Sequence, residues 1–475
     1  MKNHLVLLGV KANSWAWGLE QSLALKKSGE NVWVVDFDLG ANKGSPRIVF
    51  QNETLAQNNI YIIRANEIVT KDEIKKINSK SRKWVTENVH NAEWIDSTLD
   101  ELPIGRIVMS NYARIAGTRH FKLNLVPKNL QRKIVYLSLL ADLVFGKIQA
   151  KFSDISISNG RSPIEAVFLF RTRQSKKRVS VMERGASTKQ WFTYKTSPHF
   201  APDWWEMLKK VLDETPLTEI NKVSASYWET RLSGWDELSG RDWSKEFETG
   251  KVPATVKEKS VMFFCTSQHE VPVIEEFECS NLGYENQQSA VRELIKVCNK
   301  LGKNLIVKRH PNSVAVDGVD REEEDWLWLS KEKGVTYIDP KSKVDTYALL
   351  SMAECAITFK SSVGVEASAL GIPARSMGPA EWAFLEETRV WDSKSLDSFI
   401  KNPTVLNSDV HQAWGYLVRT FGQGLNCFSD ITGGYVLTNQ GYKIYSADYY
   451  DRSIKLKFSR VRNKLWDWKV RIFSQ

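Results

Sequence analysis

Cysteine is scarce in this chain. The five present, Cys265, Cys279, Cys298, Cys355 and Cys427, are an odd number with no paired metal-ligand spacing. That excludes a disulfide-stapled scaffold or a zinc ribbon and fits a reducing cytoplasm. Long apolar runs are missing too: the best candidate, residues 134–145, is interrupted by Asp142 and flanked by lysines, so no membrane span is expected. The opening Met1-Lys2-Asn3-His4 runs straight into Leu5-Val6-Leu7-Leu8-Gly9, which is too short for a secretion signal and reads as a first strand. Gly9 and Gly18 lack the G-x-G-x-x-G spacing of a dinucleotide site. There is no P-loop and no G-x-S-x-G elbow, and His269-Glu270 lacks the second histidine of a zinc protease. A general charge excess is also absent. The formal charge is +10, but residues 451–475 carry eight basic residues against two acidic ones. The body is therefore nearly balanced and does not present a nucleic-acid-coating surface.

What is present is the rhythm of an α/β protein. A chain of 475 residues, 42% hydrophobic, can bury a large core, and its length favours two or three domains. A strand over 5–10, a helix over 18–27 and a strand over 31–36 form an opening β-α-β unit and predict a doubly wound sheet. Residues 50–128 are less legible. A long helix over 130–152 follows, then a strand over 155–158, the turn Asn159-Gly160-Arg161, a short helix, and a strand ending at Glu183-Arg184-Gly185. Between 199 and 259 the composition turns tryptophan-rich and then polar, with Gly240, Gly250 and Pro253, which marks a domain boundary. The rhythm then restarts. A strand over 261–265 precedes a helix with Val291, Leu294, Ile295, Cys298 and Leu301 on one face, and strands begin at 305, 335, 356 and 372. The expected units are 1–240, 255–450 and a basic tail, 451–475.

Two strand ends in the second unit carry chemistry. Leu305-Ile306-Val307 runs into Lys308-Arg309-His310-Pro311-Asn312, and 355–359 runs into Lys360-Ser361-Ser362-Val363-Gly364-Val365-Glu366. Carboxyl ends of parallel strands are where open α/β sheets bind ligands, and a helix beginning there favours an anion. His310 alone reads equally as a strand-end histidine held by its turn. Its pairing with a second polar strand end in the same sheet points to a phosphate site. Ser361 or Ser362 can cap the helix, and Gly364 lets a ligand approach. Glu366 stands four residues after Ser362 and five after Ser361, not the three of a capping box, which leaves it for a ligand hydroxyl. In the first unit, Glu183 ends an apolar strand and reads either as a catalytic base or nucleophile, or as an ion-pair partner of Arg161 or Arg184. Asp36-Phe37-Asp38 is the one D-x-D; it reads as a loop-edge acid pair, and no metal is expected. Trp15, Trp17, Trp204 and Trp205 fit core packing better than sugar stacking.

The His-Pro and Ser-Ser pieces, with Asn159-Gly160-Arg161 and Glu183-Arg184-Gly185, resemble bacterial capsule polysaccharide glycosyltransferases of GT-B fold, especially the capsule Kdo transferases. More distantly they resemble bacterial sialyl- and polysialyltransferases. The resemblance covers residues 150–375 in pieces. It implies two Rossmann-like domains facing across a cleft and a metal-independent transfer of an acidic sugar, Kdo or sialic-type, from a CMP-activated donor. The acceptor would be a surface polysaccharide or glycolipid of capsule or lipopolysaccharide synthesis. It further implies that His310, Ser361 and Ser362 hold the departing phosphate with help from Lys308 or Arg309, that Glu366 contacts the ribose, and that Glu183 is the catalytic carboxylate. Asn159, Arg161 and Arg184 would contact acceptor or donor sugar. The donor is the substrate, and no separate cofactor is implied. Two rivals stand beside this reading: a CDP-glycerol glycerophosphotransferase, against which Glu366 counts because aspartate is usual there, and a non-catalytic membrane scaffold.

In the tail, Ile454, Phe458, Val461, Leu465, Trp468 and Ile472 recur every three or four residues among Arg460, Lys469 and other basic residues, with Trp466 alongside. The expectation is an amphipathic helix on an anionic membrane surface, holding the enzyme to the cytoplasmic face of the bacterial membrane. A terminal helix packed on the body is the other reading.

Overall fold

The computed structural model describes residues 3–9, 11–37, 46–119, 121–236, 241–242, 247–267, 282–315, 318–431, 435–441 and 443–445. The strands of the first half are β1 (Asn3–Leu7), β2 (Asn31–Asp36), β3 (Tyr61–Arg64), β4 (Asp154–Ser158), β5 (Arg178–Arg184) and β6 (Gln190–Tyr194). After a small hairpin, β7 (Trp235–Asp236) and β8 (Arg241–Asp242), come β9 (Ser260–Phe264), β10 (Leu305–Lys308), β11 (Val335–Ile338), β12 (Ala353–Thr358) and β13 (Ala374–Ser376). The chain closes with β14 (Gln423–Gly424), β15 (Phe428–Ile431), β16 (Tyr435–Thr438) and β17 (Lys443–Tyr445).

The first sheet runs β14-β6-β5-β4-β1-β2-β3 and the second β11-β10-β9-β12-β13. All pairs are parallel except those of β6 and β14 at one edge of the first sheet. Both faces of the central strands are covered by helices, so β4, β9 and β10 are buried throughout and read as apolar runs rather than alternations. In each sheet the strand order reverses beside the first strand: β4 and β2 flank β1, and β10 and β12 flank β9. A crevice opens at the carboxyl ends at such a switch point. The fold is α/β with two Rossmann-like domains, as expected from the sequence. Positions 451–475 of the expected tail, including Phe458, Arg460, Leu465, Trp466, Trp468 and Lys469, lie outside the described residues.

The expected unit 255–450 is divided between the two domains. Helix Ser408–Thr420 packs on helices Ala201–Glu214 and Leu217–Leu232, β14 pairs with β6, and β15 and β16 lie against helix Ala12–Lys27. Glu20 supplies the reason. Fully buried in that first helix, its carboxylate accepts backbone N–H groups of Asn426 at 2.7 Å, Cys427 at 2.8 Å and Phe428 at 3.3 Å. A buried charge needs such partners, and three oriented amides provide them. Trp204 stacks on Trp414 with ring centroids 5.4 Å apart, and Trp15 is buried with its indole N–H on Gln51. The tryptophan-rich stretch therefore builds core and the seam for the returning chain.

Helix Ile104–Ala116 positions the site. Asn111, midway along it, donates to the Arg161 carbonyl at 3.0 Å, just beyond the end of β4. At the helix end Gly117 has φ 72°, a left-handed conformation that glycine adopts without strain. It lies so close to the loop after β10 that a methyl there would come within 2.7 Å of Ser313 O and Ala315 N. Arg321 donates to the Ala116 carbonyl at 3.1 Å. Less than two helical turns thus join the strand ends of one domain to those of the other.

Candidate functional site

Neighbouring parallel strands β10, β9 and β12 end at a cavity of about 280 Å³. Lys308, His310, Ser361 and Ser362 line it together, so the structure brings the two sequence motifs to one place. The donors differ in kind. His310 Nδ1 accepts the Asn312 N–H at 3.0 Å, so the neutral ring carries its proton on Nε2 and can donate there. Ser361 Oγ accepts the Val363 N–H at 3.3 Å, and its own proton has no acceptor among the described residues. Lys308 is buried, and burial depresses its ammonium to about 8, with the nearby Cys265 and Asp345 pushing the other way. It has no ion-pair partner among the described residues. A desolvated cation beside two uncharged donors is the arrangement an anion would complete. Cys265 borders the same cavity, but burial pushes its thiol up to about 12, which rules it out as a thiolate nucleophile.

Three expectations are corrected. Arg309 borders the cavity but is 1% exposed, its guanidinium clasped by Asp320 and by Glu322 at 3.3 Å, over the ring of Trp326. Its charge is already matched, and it anchors the strand end instead of adding to an anion site. Gly364 admits no ligand: a methyl there would meet the Trp382 ring at 2.2 Å, and the Trp382 indole donates to the Ser361 carbonyl at 3.0 Å. The glycine lets this tryptophan close against the serine motif. Glu366 is 2% exposed and is held by Arg231, which donates through Nη2 at 2.6 Å and Nε at 3.2 Å. Ser362 Oγ donates to Oε1 and Tyr347 Oη to Oε2, each at 3.0 Å. Glu366 borders the cavity, but its carboxylate oxygens are engaged by these three side chains.

Arg231 and Tyr347 line the cavity and were not singled out from sequence. Arg231 ends helix Leu217–Leu232, where no local pattern ties it to an acid 135 residues away. Tyr347 had a signal: Asp345 caps helix Thr346–Ser351 by accepting the Tyr347 and Ala348 N–H groups, and an Asp before an apolar run marks such a start.

Asn159, Arg161, Glu183 and Arg184 do not line this cavity. Asn159, Arg161 and Glu183 form their own cluster at the ends of β4 and β5. Asn159 and Gly160 turn the chain with φ 52° and 75°, where Asn and Gly are least strained. The Asn159 amide donates to Glu183. Arg161 Nε donates to Asn159 Oδ1 at 2.8 Å, and the Arg184 N–H to Glu183 at 3.1 Å. Arg161 therefore reaches Glu183 through Asn159. Tyr194 is buried next to them, its phenol held well above the ordinary range by burial first and then by Glu183 and Glu381. Tyr194 thus feels the charge of Glu183 and of Glu381, the neighbour of Trp382, alike. Another carboxyl, Glu165, begins helix Pro163–Gln174; it is 3% exposed, burial raises it to about 7, and its Oε2 has no hydrogen-bond partner among the described residues. A carboxyl near neutrality is suited to taking a proton.

Asp36 is buried and accepts the Gln51 amide at 2.8 Å; Asp38 lies outside the described residues. Among the described residues no three metal-ligating side chains cluster, and no helix is long and apolar enough to cross a membrane.

No family model matches the chain, and no curated protein matches it in sequence. Among solved structures it is similar to Thermosulfurimonas dismutans KpsC, a beta Kdo 2,4 transferase, at 12% identity and TM-score 0.35, over 57% of this chain and 81% of that one. It is similar to Methanocaldococcus jannaschii UDP-GlcNAc 2-epimerase at 10% identity and TM-score 0.27, over 87% and 98%. Acinetobacter baumannii MurG follows at 11% and 0.24, over 88% and 96%. These likenesses are loose, and the functional reading rests on the residues of the cavity.

Proposed function

We propose that the chain is a glycosyltransferase that binds the phosphate of an activated sugar in the 280 Å³ cavity and takes its acceptor from the first domain. The observation carrying this is the convergence of Lys308, His310 and Ser361 on one cavity at the ends of β10 and β12. Glycosyl transfer leaves negative charge on the departing phosphate, and preorganised donors aimed at it lower the barrier. An ammonium, an imidazole N–H and a hydroxyl supply that without a divalent ion. The finer reading is a CMP-activated acidic sugar, Kdo or sialic-type, delivered to a capsule or lipopolysaccharide acceptor.

A thermal-shift panel of CMP, CDP, UDP and GDP tests it. Cytidine nucleotides at a hundred times Kd are expected to raise the melting temperature by roughly 4 °C; no shift with any nucleotide would reject the reading. The dependence on pH has a definite sign. Lys308, desolvated by burial, sheds its proton through about 8, and only the protonated form attracts an anion. Affinity is therefore full below that pH and about tenfold weaker at pH 9 than at pH 7, a difference that Lys308→Met should remove.

The basic tail is proposed to hold this enzyme on the cytoplasmic face of an anionic membrane, through Phe458, Leu465, Trp466 and Trp468 with Arg460 and Lys469. Deleting 451–475 is expected to move the protein from the membrane to the soluble fraction. Unchanged partitioning would remove the tail from this role.

A further inference from the structure

The cavity contains two adjacent serines, and the hydrogen bonds around them assign the two hydroxyls opposite tasks. A carboxylate ion-paired to arginine only accepts hydrogen bonds, and Glu366, paired with Arg231, receives both Ser362 Oγ and Tyr347 Oη at 3.0 Å. Each hydroxyl owns a single proton. The other neighbour of Tyr347 Oη, the Arg231 carbonyl at 3.3 Å, is also an acceptor, so that proton is committed to the protein either way. What Ser362 and Tyr347 can offer a ligand is lone pairs. Ser361 is the reverse: its oxygen takes the Val363 N–H and its proton has no acceptor among the described residues, beside a Lys308 ammonium with no ion-pair partner among them.

We propose that the cavity is polarised, with a donor wall of Lys308, His310 and Ser361 for an anion and an acceptor wall of Ser362 and Tyr347 for hydroxyl groups on the same ligand. This rests on the nucleotide reading and narrows it. Ser361 and Ser362 are consecutive, with Cα atoms about 3.8 Å apart, so the group that donates to Ser362 lies close to the anion. A pentose bonded directly to its phosphate meets that condition; a base one ring further on does not. Two acceptor oxygens sharing one carboxylate match two vicinal hydroxyls. Ser362 thereby leaves the phosphate set. Arg231 becomes a positioning residue that holds the Glu366 carboxylate in place and so keeps both protons turned away from the ligand.

The test is calorimetric titration of the full chain with inorganic phosphate, with the tightest-binding nucleotide among CMP, CDP, UDP and GDP, and with the 2′,3′-dideoxy form of that nucleotide. Ser361→Ala is expected to weaken phosphate and nucleotide alike, by about tenfold. Ser362→Ala should weaken the nucleotide about tenfold, leave phosphate unchanged, and bind the dideoxy form as the wild type does. Tyr347→Phe, which keeps the ring, should reduce the preference for the hydroxyl-bearing form; Arg231→Met should reduce it too, whereas a purely structural role would lower the melting temperature with the preference intact. If Ser362→Ala loses phosphate as much as nucleotide, or the wild type does not distinguish the two nucleotide forms, the polarised cavity is wrong and the nucleotide site stands. If no nucleotide binds, both fall.

Discussion

Glu183→Gln is expected to lower transfer by about a thousandfold while leaving nucleotide affinity at the wild-type level. The size follows from what a positioned general base contributes, on the order of 10²–10⁴, and the selectivity from geometry. Glu183 is on β5 of the first sheet and does not line the cavity that collects the phosphate donors. Glutamine has nearly the same shape and leaves the backbone turn at Asn159-Gly160 undisturbed, but it cannot take a proton. Asn159, itself held by Arg161, orients the carboxylate, so Asn159→Ala should give a smaller loss. Glu165 provides the control. If Glu183→Gln stays active and Glu165→Gln does not, the proton goes to the buried carboxyl that titrates at about 7, and Glu183 is structural.

Arg231→Ala should destabilise the protein by roughly 3–5 kcal/mol, because it strands a buried carboxylate without its counter-charge. Both side chains of this pair are under a tenth exposed, so solvent does little to soften the loss. The double variant Arg231→Met with Glu366→Leu should recover most of that stability, since paired replacement of buried ions by apolar groups is often neutral. Urea unfolding of the single and double variants separates the two effects. A double variant as unstable as the single one would mean the cost lies in packing rather than in the unmatched charge.

The parts of the site legible in sequence were those written locally. An apolar run ending in Lys308-Arg309-His310-Pro311 and another ending in Ser361-Ser362 declare strand ends, and parallel strands of one sheet bring their ends together. Side-chain direction was not legible. Lys308 and Arg309 look alike in sequence, yet among the described residues one has no ion-pair partner and the other is matched by Asp320 and Glu322, acids eleven and thirteen residues on. Glu366 stands outside a capping box, as its spacing predicts, but no local pattern foretells that Arg231 claims it. Helix Lys71–Asn88 opens on a capping box of Thr70 and Glu73, a local signal that went unread within 50–128. The return of the chain to the first domain was unreadable for a deeper reason. Glu20 is satisfied by backbone amides some four hundred residues away, and a main-chain N–H has no letter in the sequence.

That return determines from which body the terminal segment leaves. Tyr445 closes a meander seated on the opening helix of the molecule, not on the half that collects phosphate donors. Should the basic run beyond it grip a bilayer, the acceptor half is the one drawn to the lipid.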